Sequence, residues 1–269
     1  MLGKLMKYEI KATARWFLPF YVAMLFSAIL NKFIFINPIL NNTFVQEESF
    51  IAILQGILSS LSMFLYVALF FGLYVATLIV VIQRFYKSLL GDEGYLMFTL
   101  PVKTWQNILC KLLTSMLWAF ASSLVAFGSI FILIPGEELK QIPQAFMEAV
   151  RTLGVGGIVL LFIFIVLSLT TSVLEIYSAI SLGHLFNKRR LLLSFVMYLG
   201  LQTVTQFTGL IIAALSMKSI FTIYTSEITV GLGVQFRQMF IIVTIILAIF
   251  TAGYFTLTNY LLKKKLNLE

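Results

Sequence analysis

Charge is what this sequence has least of. Only 11% of its 269 residues are Asp, Glu, Lys or Arg, against about 25% in an ordinary soluble domain. Reactive side chains are scarcer still, with one Cys (Cys110), one His (His184) and one Asp (Asp92). A single cysteine excludes an intramolecular disulfide. A single aspartate excludes an aspartate pair, and a single histidine excludes a His-Glu-x-x-His zinc site. No Gly-x-Ser-x-Gly nucleophile turn occurs. No Gly-x-x-x-x-Gly-Lys-Ser/Thr phosphate loop occurs either, so the chain does not bind ATP by that mechanism, and it is not expected to be an enzyme. Cys110 reads as a small apolar residue, and His184 as a hydrogen-bonded residue at a membrane edge.

What fills the chain instead is apolar, at 60% of residues, in blocks longer than a core helix needs. A helix crossing hydrocarbon takes roughly 20 mainly apolar residues. Six such stretches are present, at about 16–38, 50–82, 107–134, 155–181, 191–217 and 238–261. The block at 50–82 exceeds a single crossing and predicts a helix that continues beyond the bilayer. The ten-residue alternation of a membrane barrel is absent. The expected fold is an all-α integral membrane protein, because lipid leaves a helix as the remaining way to satisfy the backbone. No small-residue cleavage site follows the first apolar block, which is too long for a signal peptide, so none is expected.

Orientation follows from the basic residues. With the N-terminus inside, 14 of the 19 Lys and Arg residues fall on inside segments, in groups at 4–15, 84–111, 188–190 and 263–265. Lys32, Lys140, Arg151, Lys218 and Arg237 fall outside. The bias places both termini in the cytoplasm. The net charge of +8 is then mainly a topology signal, and no nucleic-acid partner is expected, since the basic residues spread over four membrane edges. Asp92 and Glu93 form the one acidic pair on the inner face.

The first 15 residues, MLGKLMKYEIKATAR, carry Lys4, Lys7, Lys11 and Arg15 at spacings that share one helical face. This reads either as an amphipathic helix lying in the inner interface or as a positive flank of the first span. The outside connections at 39–49, 135–154 and 218–237 are too short for a domain with its own core. Residues 143–153 suit a short surface helix. The whole of 1–269 is read as one membrane domain.

Between the second and third spans runs RFYKSLLGDEGYLMFTLP, residues 84–101 of a connecting region at 84–106. Gly91 is a suitable helix stop. Asp92 and Glu93 then stand at the start of a short apolar, aromatic segment, where carboxylates complement the helix dipole. Pro101 ends it, and Thr104 is expected to cap the third span, with Trp105 at the interface. Such a segment either lies in the lipid interface, fills a groove on a partner protein, or is simply a tight connector. Anionic inner-leaflet lipid would repel the acidic pair.

The run FYKSLLGDEGYLMFTLPVKTWQNILCKLL, residues 85–113, resembles permease subunits of ABC transporters of the ABC-2 type, particularly those of Gram-positive bacteria. The later phrase EIYSAISLGHLFNKRR, residues 175–190, resembles the exit of the fourth span in that family. The resemblance implies that the connection at 84–106 holds a coupling helix. It would dock on a separate ATP-binding subunit, with Gly91, Asp92, Glu93, Gly94, Tyr95 and Phe98 at the contact. It implies that residues 1–15 form an interfacial helix. It implies ATP and magnesium in the partner ATPase, a second permease subunit, identical or related, and a place in the bacterial plasma membrane. The function it implies is ATP-driven transport, with export of an amphipathic peptide, lipid or drug favoured over import. Two other readings stay open: a subunit of an antimicrobial-peptide sensing or resistance complex, and an ion-coupled secondary carrier.

Three polar stripes interrupt the spans at helical spacing. They are Gln55, Ser59, Ser62 and Tyr66 in the second; Ser168, Thr171, Glu175 and Ser178 in the fourth; and Tyr198, Gln202, Thr205 and Gln206 in the fifth. Such stripes are helix–helix contacts, a translocation path, or both. The resemblance puts a path at an interface of spans two and five, making Gln55, Ser59, Ser62, Tyr66, Gln202, Thr205 and Gln206 the candidate path residues. Glu175, a carboxyl inside a span, is the candidate gating or structural residue, and the one a carrier would use.

Overall fold

A computed structural model of the chain describes residues 2–40, 50–90, 103–186, 189–224 and 231–264. Almost all of them are helical. The helices are α1 (Leu2–Leu40), α2 (Phe50–Phe85), α3 (Thr104–Leu133), the single turn α4 (Gly136–Leu139), α5 (Ile142–Gly183), α6 (Arg190–Tyr224) and α7 (Gly231–Lys264). Six contain windows long and apolar enough to cross a membrane: Met6–Ile34, Gly56–Phe85, Thr104–Leu133, Leu153–Gly183, Arg190–Ile212 and Arg237–Lys263. By length and composition this is a multi-pass membrane protein. The many exposed large apolar side chains along these windows, such as Phe64, Phe71, Phe127, Phe162 and Phe207, suit lipid, where no hydrophobic penalty attaches to them.

All six expected spans are present, and the helices around them run further than the apolar blocks. The expected connection at 218–237 is largely helical, because α6 continues to Tyr224 and α7 begins at Gly231. Once a helix is nucleated, each added residue gains a backbone hydrogen bond, so it propagates past the apolar block until a strong stop. The same holds at the N-terminus. Residues 2–40 are one helix, with no end separating the first 15 residues from the span. On its first turns Lys7, Lys11 and Arg15 are exposed while Thr13 and Phe17 are buried.

The expected surface helix at 143–153 is present, and its boundary has a clear cause. Gly154 adopts φ 67° and ψ 167°, a break inside α5. Side chains rarely adopt this backbone conformation, whereas glycine does so readily. Space is not the constraint, since nothing lies within 4 Å of where a Cβ would stand. The start of α3 differs from expectation. The helix begins at Thr104, so Lys103 occupies the cap position, and its backbone N–H is accepted by Gln106 Oε1 at 3.1 Å. This is the reach-back half of a capping box, made by the residue three positions on.

The chain divides into two compact units. The first comprises residues 1–81 and 117–143, and the second 82–116 and 144–269. In the first, α1, α2 and the second half of α3 enclose Met24, Ala28, Tyr66, Leu73 and Ala126. Phe17 stacks on Trp118 at 4.6 Å between centroids and 9° between planes. In the second, Tyr177 is fully buried. It stacks on Phe85 at 4.0 Å and 12°, and its hydroxyl shares a 2.8 Å hydrogen bond with Ser115. Beyond Phe85 the chain widens into a π-helical turn, Tyr86–Leu90. Leu89 is buried by this turn, and the Tyr86 ring comes to 5.1 Å from the His184 ring.

One close crossing stands out in the second unit. A Cβ on Gly183, the last residue of α5, would overlap Ser194 Oγ and lie 2.5 Å from the Ser194 backbone nitrogen and 2.6 Å from its Cα. The end of α5 and the start of α6 therefore touch backbone to backbone, which only glycine permits.

Candidate functional site

The six residues expected to dock an ATPase (Gly91, Asp92, Glu93, Gly94, Tyr95 and Phe98) lie outside the described residues. The polar stripes fall within them, Gln55 lying in α2.

In the first unit the stripe of α2 meets hydroxyl and amide groups of its two neighbours. Asn31, fully buried in α1, donates from Nδ2 to the carbonyls of Ser27 at 2.9 Å and Ser62 at 3.1 Å. Its Oδ1 accepts from Ser62 Oγ at 3.0 Å. The Tyr66 hydroxyl pairs with Ser129 of α3 at 3.0 Å. Elsewhere in the same unit, Ser122 pairs with both Tyr21 and Thr77 at 3.0 Å. Ser59 bonds the Gly56 carbonyl of its own helix at 2.9 Å. Ser62 and Tyr66 are thus interhelical contacts. Sequence reasoning did not single out Asn31, Ser122 or Ser129. A signal was available for Asn31, an amide inside a mainly apolar block.

In the second unit the stripes of α5 and α6 come together. Glu175 is only 3% exposed. With the Gln202 amide turned so that its nitrogen meets the carboxylate, Nε2 donates to both Glu175 oxygens at 3.0 Å, and Oε1 accepts from Gln206 Nε2 at 3.0 Å. Thr205 pairs with the Tyr254 hydroxyl of α7 at 2.8 Å and also reaches the Glu175 carboxyl. One turn back along α5, Thr171 pairs with Thr251 of α7 at 2.8 Å. Ser178 bonds its own helix, at the Glu175 carbonyl, 2.9 Å away. The result is a polar cluster between three apolar helices, centred on a carboxyl. Two of the candidate path residues, Gln202 and Thr205, surround the residue expected to gate. Tyr254 and Thr251 were not singled out, although Thr244, Thr251, Tyr254 and Thr258 recur at helical spacing in the last span.

His184 lies in the turn after α5, its backbone N–H donating to the Ile180 carbonyl at 3.1 Å. Its Nε2 is buried and has no hydrogen-bond partner among the described residues. Burial, and secondly the charge of Arg190, hold its pKa below the ordinary value. Among the described residues no group of three His, Cys, Asp or Glu could hold a metal ion.

No family model, curated protein or solved structure matches the chain.

Proposed function

We propose that this chain is the membrane-spanning subunit of an ABC-2-type ABC transporter, driven by a separate ATPase subunit and exporting an amphipathic substrate. The observation that carries the reading is the layout. Six spans are present, and the resembling run GDEGYLMFTLP stands between the second and the third. In this reading residues 91–98 dock on the ATPase, both termini are cytoplasmic, and the membrane is the bacterial plasma membrane. ATP binding closes the ATPase pair, and the motion reaches the spans through the connection at 84–106. Residues 1–15 serve as the interfacial start of α1. The buried carboxyl of Glu175 favours a second reading, an ion-coupled carrier that needs no ATPase.

The test is gentle purification from native membranes followed by mass spectrometry, beside a variant carrying Asp92→Lys and Glu93→Lys. The expected outcome is a soluble ATPase subunit that accompanies the wild type and is lost from the variant. Absence of any ATPase across several mild detergents would sink the transporter reading and leave the carrier.

A further inference from the structure

The first unit and the second differ in one chemical respect. The interhelical bonds described above in the first join neutral groups, whereas those of the second surround a carboxyl. Glu175 is 3% exposed and sits about two turns before the end of α5. Among the described residues no Lys, Arg or His pairs with it. Two phenols, Tyr198 of α6 and Tyr254 of α7, are among the groups that feel its charge. An ionised carboxylate buried without a counter-charge is expensive, and the usual resolutions are a bound proton or a bound cation.

The amides beside it can register a bound proton. Glu175, Gln202 and Gln206 form a three-member chain with 3.0 Å links. A carboxylate only accepts, while an amide offers a donor at one end and an acceptor at the other. The chain therefore has two self-consistent directions. With Glu175 ionised, Gln206 nitrogen donates to Gln202 oxygen, and Gln202 nitrogen donates to Glu175. With a proton on Glu175, its O–H donates to Gln202 oxygen, and Gln202 nitrogen donates to Gln206 oxygen. Passing from one to the other turns both amides over, exchanging their oxygen and nitrogen positions and leaving the rest of the side chains in place. Gln206 is exposed on α6. Its uncommitted end is an acceptor oxygen in the first direction and a donor nitrogen in the second.

We propose that Glu175 is a proton-binding site inside the membrane, and that Gln202 and Gln206 relay its state to the exposed face of α6. The ligand is a proton taken from water at the membrane edge. This does not rest on the transporter reading, and its test needs no ATPase.

The test is infrared difference spectroscopy on the purified full chain in lipid vesicles, stepped from about pH 4 to about pH 10. That range covers ordinary carboxyls and the documented buried ones. The expected result is a protonated-carboxyl band that titrates in the wild type and is lost in Glu175→Gln, accompanied by a glutamine side-chain amide band changing at the same midpoint. Gln206→Leu lies at an exposed position, so it keeps the fold testable; it should retain the carboxyl band, shift its midpoint and weaken the amide change. If no titrating band distinguishes wild type from Glu175→Gln, the proposal is overturned. A midpoint that follows sodium concentration at fixed ionic strength overturns it in favour of a sodium site. A titrating carboxyl band with no accompanying amide change overturns the relay.

Discussion

The two units use membrane-embedded polar groups differently. In the first, Asn31, Ser62, Tyr66, Ser129, Tyr21, Ser122 and Thr77 form short interhelical bonds between neutral groups. Nothing in that set changes charge near neutral pH. In the second, hydroxyl pairs such as Thr171–Thr251 and Thr205–Tyr254 stand beside a carboxyl with two amides in line. Helix contact alone is achieved by the neutral set, at roughly 0.6 kcal/mol for an average membrane hydrogen bond. A buried carboxyl is a poor choice for that task, since its desolvation offsets what its hydrogen bonds contribute. A polar stripe in a span is therefore better judged by whether it includes an ionisable group than by its length or spacing.

The largest way to break this contrast is at Gly183. Replacement by valine places a side chain into the backbone of Ser194, so α5 and α6 must separate. A loss of about 3 kcal/mol or more is expected, read as a large fall in melting temperature in detergent together with loss of the Glu175 cluster. A Gly183→Val protein that melts like wild type would show that the backbones do not touch.

The next is the neutral network. Asn31→Ala should cost about 1–2 kcal/mol, because it removes Ser62's side-chain acceptor and two donated bonds. Tyr66→Phe should cost less, about 0.6 kcal/mol for one hydroxyl bond. Both losses should be the same at acidic and neutral pH. A pH-dependent loss at either position would erase the distinction between the units.

The smallest effect expected is at His184. Burial and Arg190 hold its folded pKa below 6.5, so between the folded value and 6.5 the unfolded chain binds more protons. Stability from this residue is thus fully present above 6.5 and is lost as pH falls through that window. Wild type should lose a little thermal stability on mild acidification, and His184→Gln should lose less. Equal losses would remove His184 from the account.

Much of the architecture was legible. Six apolar blocks of spanning length mark six helices because hydrocarbon enforces both composition and length. Helix ends were less so, as at Tyr224 and Gly231, because a helix does not stop where apolarity stops. The stripes were also legible as faces. Spacing showed that Gln202, Thr205 and Gln206 share a side of α6, and that Thr171, Glu175 and Ser178 share a side of α5. It could not show that these two sides meet, since periodicity describes one helix at a time. The partner is chosen by the crossing at Gly183, where the missing side chain matters and leaves no periodic mark. At the α3 start, Thr104 looked like the cap by residue type, but Gln106 performs the reach-back, and only backbone placement separates the two.

The crossing carries one more consequence. Glu175 stands eight residues before Gly183, and Gln202 stands eight residues after Ser194. Two antiparallel helices pinned at one point climb together, so equal arms bring the carboxyl and the amide to the same height. One residue added to or removed from either arm would rotate its far end by about 100° and shift it by about 1.5 Å. Along the α6 arm, where no residue from 195 to 201 is buried, side chains are free to vary so long as the arm keeps its length, whereas the α5 arm is also held by buried side chains such as Tyr177. In the chain's descendants, substitutions between 194 and 202 should be tolerated far more readily than insertions or deletions in either arm.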